Sequence, residues 1–409
     1  MLESDDRPLA ERGRVDGLSP DGTGSAVVHG RRVAVPAGWP GDEVEEVGGA
    51  FRVVVPSPAR LAPLCEWSDR CGGCDLDGLD GAVRADALQG MVARAFRDEV
   101  PTRWVPSPQP RETRARITLS RQGSRLGFHG RRSHELAEVT SCIAARPEVD
   151  AALRALRPLA SSWGDGESQI EVRSDGHRVV LRVDGDPVPV PAASVAWAGV
   201  VDRVGRRGDV AQGDATMAWG PTAFTQVHLE LNAQLVADVV AWLDGCEAAL
   251  DLYAGIGNFS VPLARRGIRV TAVERPGPSA EALRANAAGL PLSVLALDAE
   301  RFDPSRVPFD ALVIDPPRKG AGDVLRRALR NRPRRVVAIA CHPASGARDA
   351  AIAVAEGYRA VARTLYDFFP GTHHVETVTW FERTERRVTA SRPTPPRGQG
   401  GRGGGPRRR

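Results

Sequence analysis

Apolar positions fall into three distinct patterns along the chain, each predicting a different kind of structure. From about Gly13 to Leu61, short valine-bearing runs are punctuated by glycine and proline, as in GLSPDGTGSAVVHGRRVAVPAGWPGDEVEEV. Brief strands broken by turn residues predict a small β-barrel. From Pro63 to about Gly213, an amphipathic helical pattern near Val83 to Phe96 stands among alternating runs, RITLS, IEVRS and RVVLRV. That mixture predicts an α+β unit. From Val227 to Glu382, apolar strands alternate with helical segments, the signature of a doubly wound parallel sheet. The closing RPTPPRGQGGRGGGPRRR has no apolar period and cannot bury a core, so it is expected to be disordered.

The expected fold class is therefore α/β, divided at about 9–61, 62–215, 216–388 and 389–409. A chain of 409 residues exceeds what one ordinary core supports. With 42% hydrophobic and 26% charged residues, and no apolar run near the roughly 20 residues of a bilayer crossing, no membrane partner is expected. The acidic opening, Met1 to Asp6, leads into no apolar segment of secretory type, so a cytoplasmic protein is the expectation. The formal charge of +4 misleads. Six arginines and no acid lie between Ser391 and Arg409, which leaves 49 basic against 51 acidic residues elsewhere. Lys319 is the only lysine, so arginine abundance says little about partners.

Candidate chemistry concentrates in the last unit. Ala248 to Ala264, AALDLYAGIGNFSVPLA, reads as strand, glycine loop and helix. Gly255 and Gly257 permit the tight turn that close approach of a ligand demands. Ser260 stands where the dinucleotide fingerprint wants Gly or Ala, which counts against a nicotinamide oxidoreductase. Three acids each close a β-like run: Glu274 after IRVTAV, Asp298 after LSVLAL and Asp315 after FDALVI. Acids at the carboxyl ends of adjacent parallel strands converge where ligands bind. Glu274 is placed for a ribose diol and Asp298 for an adenine amine. Asp315-Pro316-Pro317-Arg318 carries no aromatic residue after its prolines, and Cys341 follows the next strand, RVVAIA. Glu376 lies in FFPGTHHVETVTWFER.

Six cysteines in a chain of this kind point to metal or catalytic roles before disulfides. Cys65, Cys71 and Cys74 form a C-x5-C-x2-C run, and a distant Cys142 supplies a fourth thiolate. Four thiolates suffice for an iron-sulfur cubane or a tetrahedral zinc. Spacing alone leaves both open.

Residues 13 to 383 resemble the RNA 5-methyluridine methyltransferase family, in its branch with a TRAM domain and an iron-sulfur cluster. The resemblance rests, in order, on Phe224-Thr225-Gln226, DLYAGIGNF, Glu274, Asp298, DPPRKG, CHPASGARD and HHVE. The N-terminal segment is similar to the OB-like TRAM barrel through Asp21-Gly22, Val33 to Pro36 and Pro40-Gly41-Asp42-Glu43. GFHGRRSHELAEVTSC around Cys142 matches the iron-sulfur branch.

The resemblance implies a class I S-adenosyl-L-methionine-dependent methyltransferase domain, the OB-like barrel and a central α+β domain. It implies Gln226, Tyr253, Asn258, Glu274, Asp298 and Asp315 as cofactor contacts, with Gly255 and Gly257 in the loop. Cys341 becomes the nucleophile, Glu376 the proton acceptor, and Cys65, Cys71, Cys74 and Cys142 the ligands of a [4Fe-4S] cluster, with zinc the alternative. Carbon 5 of uracil is a poor nucleophile, and thiolate addition to carbon 6 activates it. Arg318 is expected to lower the thiol's pKa. The expected partner is structured RNA, 23S ribosomal RNA or transfer RNA, acted on by a monomer. The competing reading is an RNA-binding or remodelling protein with a vestigial methyltransferase site. Two departures bear on the site: the family usually has Asn at the position of His342 and His at that of Gly371.

Overall fold

The computed structural model describes residues 12–384 apart from 177–178, 187, 189–197, 202–207, 213–214 and 220–222. The arginine-rich tail, 389–409, lies outside the described residues. So do residues 9–11 at the start of the expected barrel.

The N-terminal unit contains β1 (Arg12–Leu18), β2 (Gly24–Val28), β3 (Arg31–Val35), β4 (Glu43–Val47) and β5 (Ala50–Val55). They form one antiparallel sheet in the order β3-β2-β1-β4-β5. Its concave face buries Val15, Ala26, Val28, Val35 and Val44. Edges β3 and β5 approach one another without forming a ladder, so the expected barrel is a curled half-barrel. Asp42, fully buried, holds its exit: its carboxylate accepts the Trp39 and Ser57 amides and both arms of Arg60.

Helix α1 (Gly81–Phe96) is capped by Asp80, whose side chain accepts the Ala82 and Val83 amides. The helix ends where Arg97 turns left-handed at φ 55°. After it, β6 (Thr102–Val105) leaves the central unit and pairs in parallel far downstream, so the expected 62–215 span is drawn across two sheets. The central sheet is built from β7 (Arg116–Gln122), β8 (Arg125–His129), β9 (Leu136–Ala137), β10 (Glu167–Ser174), β11 (Val179–Gly185) and β12 (Ala198–Val201). Its order is β12-β11-β10-β7-β8-β9. Helix α2 (Pro147–Leu159) covers it, and its Val149, Ala152, Leu153 and Leu156 share a core with Leu119, Leu126, Ile170 and Val172.

A hairpin of β13 (Gly208–Gln212) and β14 (Ala215–Trp219) precedes the last unit. There, α3 (Leu229–Trp242), β15 (Ala248–Leu252), α4 (Ser260–Arg265), β16 (Arg269–Glu274), α5 (Pro278–Asn286) and β17 (Leu292–Ala296) alternate. They are followed by β18 (Ala311–Ile314), α6 (Asp323–Leu329), β19 (Arg335–Ala340), α7 (Pro343–Ala355), β20 (Tyr358–Tyr366) and β21 (Glu376–Arg383). The eight-stranded order is β17-β16-β15-β18-β19-β21-β20-β6, with β21 antiparallel to both neighbours. Strand β15 is buried throughout because helices cover both faces of a parallel sheet. Order reverses at β15, which places a crevice at the carboxyl ends of β15, β16 and β18. No helix among the described residues is long and apolar enough to cross a membrane.

Candidate active site

The glycine loop opens directly from β15. Tyr253 turns left-handed at φ 63°, and Gly255 and Gly257 follow at φ 58° and 102°. At φ 102° Gly257 holds a backbone conformation that residues with a Cβ rarely adopt, and a Cβ there would also crowd Leu283 and Val261 at 2.8 Å. Gly255 has open space beside its Cα, and its amide donates to Glu274 Oε2 at 2.9 Å. Asn258 exchanges amide hydrogen bonds with Asn232 of α3 at 3.0 and 3.1 Å, tying the loop to the helix behind it.

A cavity of about 710 Å³ lies over these strand ends. Gln226, Tyr253, Gly255, Glu274, Asp298 and Asp315 line it, as do Cys341 and Glu376. Asn258 lines a small adjoining cavity of about 40 Å³ that shares Gln226, Tyr253 and Gly255. Gly257 lines neither, and acts through the turn it permits. Hydrogen bonds from Glu300, first its side chain and then its amide, which donates at 3.0 Å, draw the Asp298 carboxyl below the usual range.

Cys341 and Glu376 meet through strand register. Cys341 follows the last residue of β19 and Glu376 opens β21, and the last ladder pair is Ala340 with Thr377. One step further sets the two residues across from each other at the cavity floor. Glu376 is 3% exposed; burial, then the charge of Asp315, holds its carboxyl well above the ordinary range. Burial likewise pushes Asp315 up to about 7. The Cys341 thiol is pushed up to about 11 by burial first, then by Glu376 and Asp315. Arg318 lowers it, as expected from the sequence, but is outweighed. His342 is the N-cap residue of α7 and makes no side-chain cap; an Asn there would supply one. The substitution therefore touches the helix start and leaves the thiol on the cavity. Gly371 sits at φ 76°, a conformation in which His is also among the better tolerated residues.

Cys65, Cys71, Cys74 and Cys142 line a second cavity of about 250 Å³. Burial raises all four thiols, Cys71 to about 11. Arg114 donates toward Cys74 Sγ at 3.8 Å and to the Gly73 carbonyl at 2.9 Å. Its Nε and the indole Nε1 of Trp67, both from residues lining this cavity, are buried without partners. Among the described residues no group of three or more His, Cys, Asp and Glu is arranged to hold a metal ion. Arg116, Val227 and Phe369 line both cavities, so the two share a wall.

Sequence reasoning missed Asp251, which lines neither cavity, and Arg116, which lines both. Asp251, in β15, is fully buried; Ser260 donates to one of its oxygens, and the other has no partner. Its carboxyl is pushed up to about 7, by burial first. An acid inside the apolar run AALDL was the available signal. Arg116, from the central sheet, lies 4.9 Å from the Phe224 ring centroid at the cavity, and nothing in RITLS marked it.

No protein-family profile matches the chain. The 23S rRNA (uracil(1939)-C(5))-methyltransferase of Pectobacterium atrosepticum is 31% identical over 90% of this chain and 92% of its own length. That of Thiobacillus denitrificans is 32% identical over 90% and 98%. In structure, the chain is similar to the Pyrococcus abyssi tRNA (uracil-54, C5)-methyltransferase solved with S-adenosyl-L-homocysteine. That similarity has a TM-score of 0.73 at 23% identity, over 90% of this chain and 100% of that one. With such identity over nearly the whole length, and a similar fold, the chain belongs to the family of RNA uracil-C5 methyltransferases.

Proposed function

We propose that this enzyme methylates carbon 5 of one uridine in 23S ribosomal RNA, with S-adenosylmethionine as donor and Cys341 as a transient covalent nucleophile. The observation that carries the reading is a single cavity lined by Cys341, Glu376, Asp315, Glu274, Tyr253 and Gln226. Its volume suits a small-molecule site of ordinary size. The donor set fits the cofactor: Glu274 and Asp315 are cavity-lining acids held above their ordinary pKa, and Tyr253 Oη, at the same cavity, is buried without a partner. A ligand carrying a sulfonium, an ammonium and a ribose diol satisfies such groups. When bound, it supplies an electrophilic methyl group.

The target uridine must be extruded from its stack for carbon 5 to reach the cavity. Cys341, as thiolate, adds to carbon 6, and carbon 5 takes the methyl group. Glu376, as carboxylate, accepts the proton left on carbon 5. The freed electron pair restores the double bond between carbons 5 and 6 and expels Cys341 as thiolate. Burial holds Glu376 at high proton affinity, which favours this acceptance.

The four remaining cysteines we assign to a [4Fe-4S] cluster. The four thiols line one cavity, and four thiolates suffice for a cubane. The unpartnered N–H groups of Trp67 and Arg114 suit its anionic sulfur. The half-barrel and central sheet then hold flanking RNA by shape.

The test uses total RNA from a strain lacking this gene, incubated with tritiated S-adenosylmethionine. Label is expected as 5-methyluridine in 23S ribosomal RNA, and none with Cys341→Ala. Label in transfer RNA alone overturns the substrate assignment. Undiminished methylation by Cys341→Ala overturns the covalent step.

A further inference from the structure

We infer that Asp75 is a positioning residue for the proton-accepting carboxylate, acting through His373. The inference rests on the assignment of that role to Glu376. Asp75 follows Cys74 directly, and the chain joins it to the catalytic strand by several bonds. His373 Nδ1 donates to Asp75 Oδ2 at 2.7 Å, and the His373 amide donates to Oδ1 at 3.2 Å. The Leu76 amide donates to the Gly371 carbonyl at 2.9 Å. Leu76 and Val375 are buried in one apolar cluster with Leu18 and Trp39.

Residues 75 and 76 thus grip positions 371, 373 and 375. The chain bends at Thr372 and His373 before β21 opens at Glu376, and both His374 and Glu376 line the catalytic cavity. The His373 and His374 rings lie 4.0 Å apart, which continues the contact toward the cavity. On the opposite side, Arg84 of α1 donates to the Thr372 and Phe369 carbonyls and pairs with buried Asp367. Arg84 anchors the loop, whereas Asp75 sets the rotation of the segment that delivers Glu376.

Displacement of a reacting group by about 1 Å costs up to about a hundredfold in rate. The step at stake is removal of the proton from carbon 5, after methyl transfer and before release of Cys341. Slowing that step alone accumulates a denaturant-resistant adduct between enzyme and methylated RNA. A general weakening of the fold accumulates none.

The experiment compares Asp75→Ala, Asp75→Asn and Glu376→Gln, purified with their bound metal, in single-turnover and steady-state assays. Asp75→Ala is expected to lower kcat by about tenfold to a hundredfold, with KM for RNA and donor unchanged. The adduct should accumulate as it does in Glu376→Gln. Asp75→Asn, whose amide oxygen still accepts from His373, should recover part of the rate. Metal per chain should match the parent. Asp75→Ala without adduct, while Glu376→Gln accumulates it, overturns the positioning role. So does a loss of rate that follows loss of metal in both Asp75 variants. Absence of adduct in Glu376→Gln overturns the assignment of Glu376 itself, and the inference with it.

Discussion

Replacing Asp251 by Asn should stabilise the ligand-free protein at neutral pH. Asp251 is fully buried, with one oxygen bonded to Ser260 and the other bare. Burial, with Asp315 and Glu274 adding to it and Ser260 opposing, moves its carboxyl from 3.8 to about 7. In the unfolded chain the group ionises near pH 4, whereas in the folded protein it keeps its proton until near pH 7. Between those values the folded state binds more protons, so stability falls as pH rises. The contribution is complete below the unfolded pKa and gone above the folded one. A displacement of roughly three units corresponds to about 4 kcal/mol as an upper limit, at 1.36 kcal/mol per unit. Asn has the same shape and no charge, so its stability lacks this decline. Thermal unfolding of both proteins, without ligand, from pH 4.5 to 8.5 is the assay. The Tm advantage of Asp251→Asn should grow across that range to several degrees. A gap independent of pH, or one favouring the parent as pH rises, refutes the reasoning.

Two further outcomes follow from the same geometry. With the Cys341 thiol near 11, thiolate is scarce at neutral pH and its fraction rises about tenfold per unit. Adduct formation measured in a single turnover at saturating RNA and donor should therefore climb between pH 6.5 and 8.5, and a flat profile would exclude a free thiol as the starting state. Purified anaerobically, the protein should be brown with about four irons per chain, and Cys71→Ser should lose the colour; a colourless parent holding one zinc ends the cluster assignment.

Much of the fold was legible in the sequence because its signals are local. Glycine and proline marked the turns of the half-barrel. The alternation of strands and helices after Val227 marked the doubly wound sheet, and Glu274, Asp298 and Asp315 each ended an apolar run in line with that topology. Less legible was β6, whose four residues pair with β20 across a separation that no local pattern encodes. The open edge between β3 and β5 was equally hidden, since closure depends on the curl of the whole sheet.

By itself, the sequence determined which chemical groups are present and in what order: a glycine turn, three strand-end acids, a thiol, a carboxylate and four spaced cysteines. Only the tertiary structure decided which share a cavity and in what electrostatic state. Cys341 has a cation nearby in Arg318, yet burial and two carboxyls outweigh it. Asp75 and His373 stand 298 residues apart in the chain and 2.7 Å apart in space. Residue identity and spacing are properties of the chain, whereas desolvation and charge–charge distance arise only when distant segments pack together.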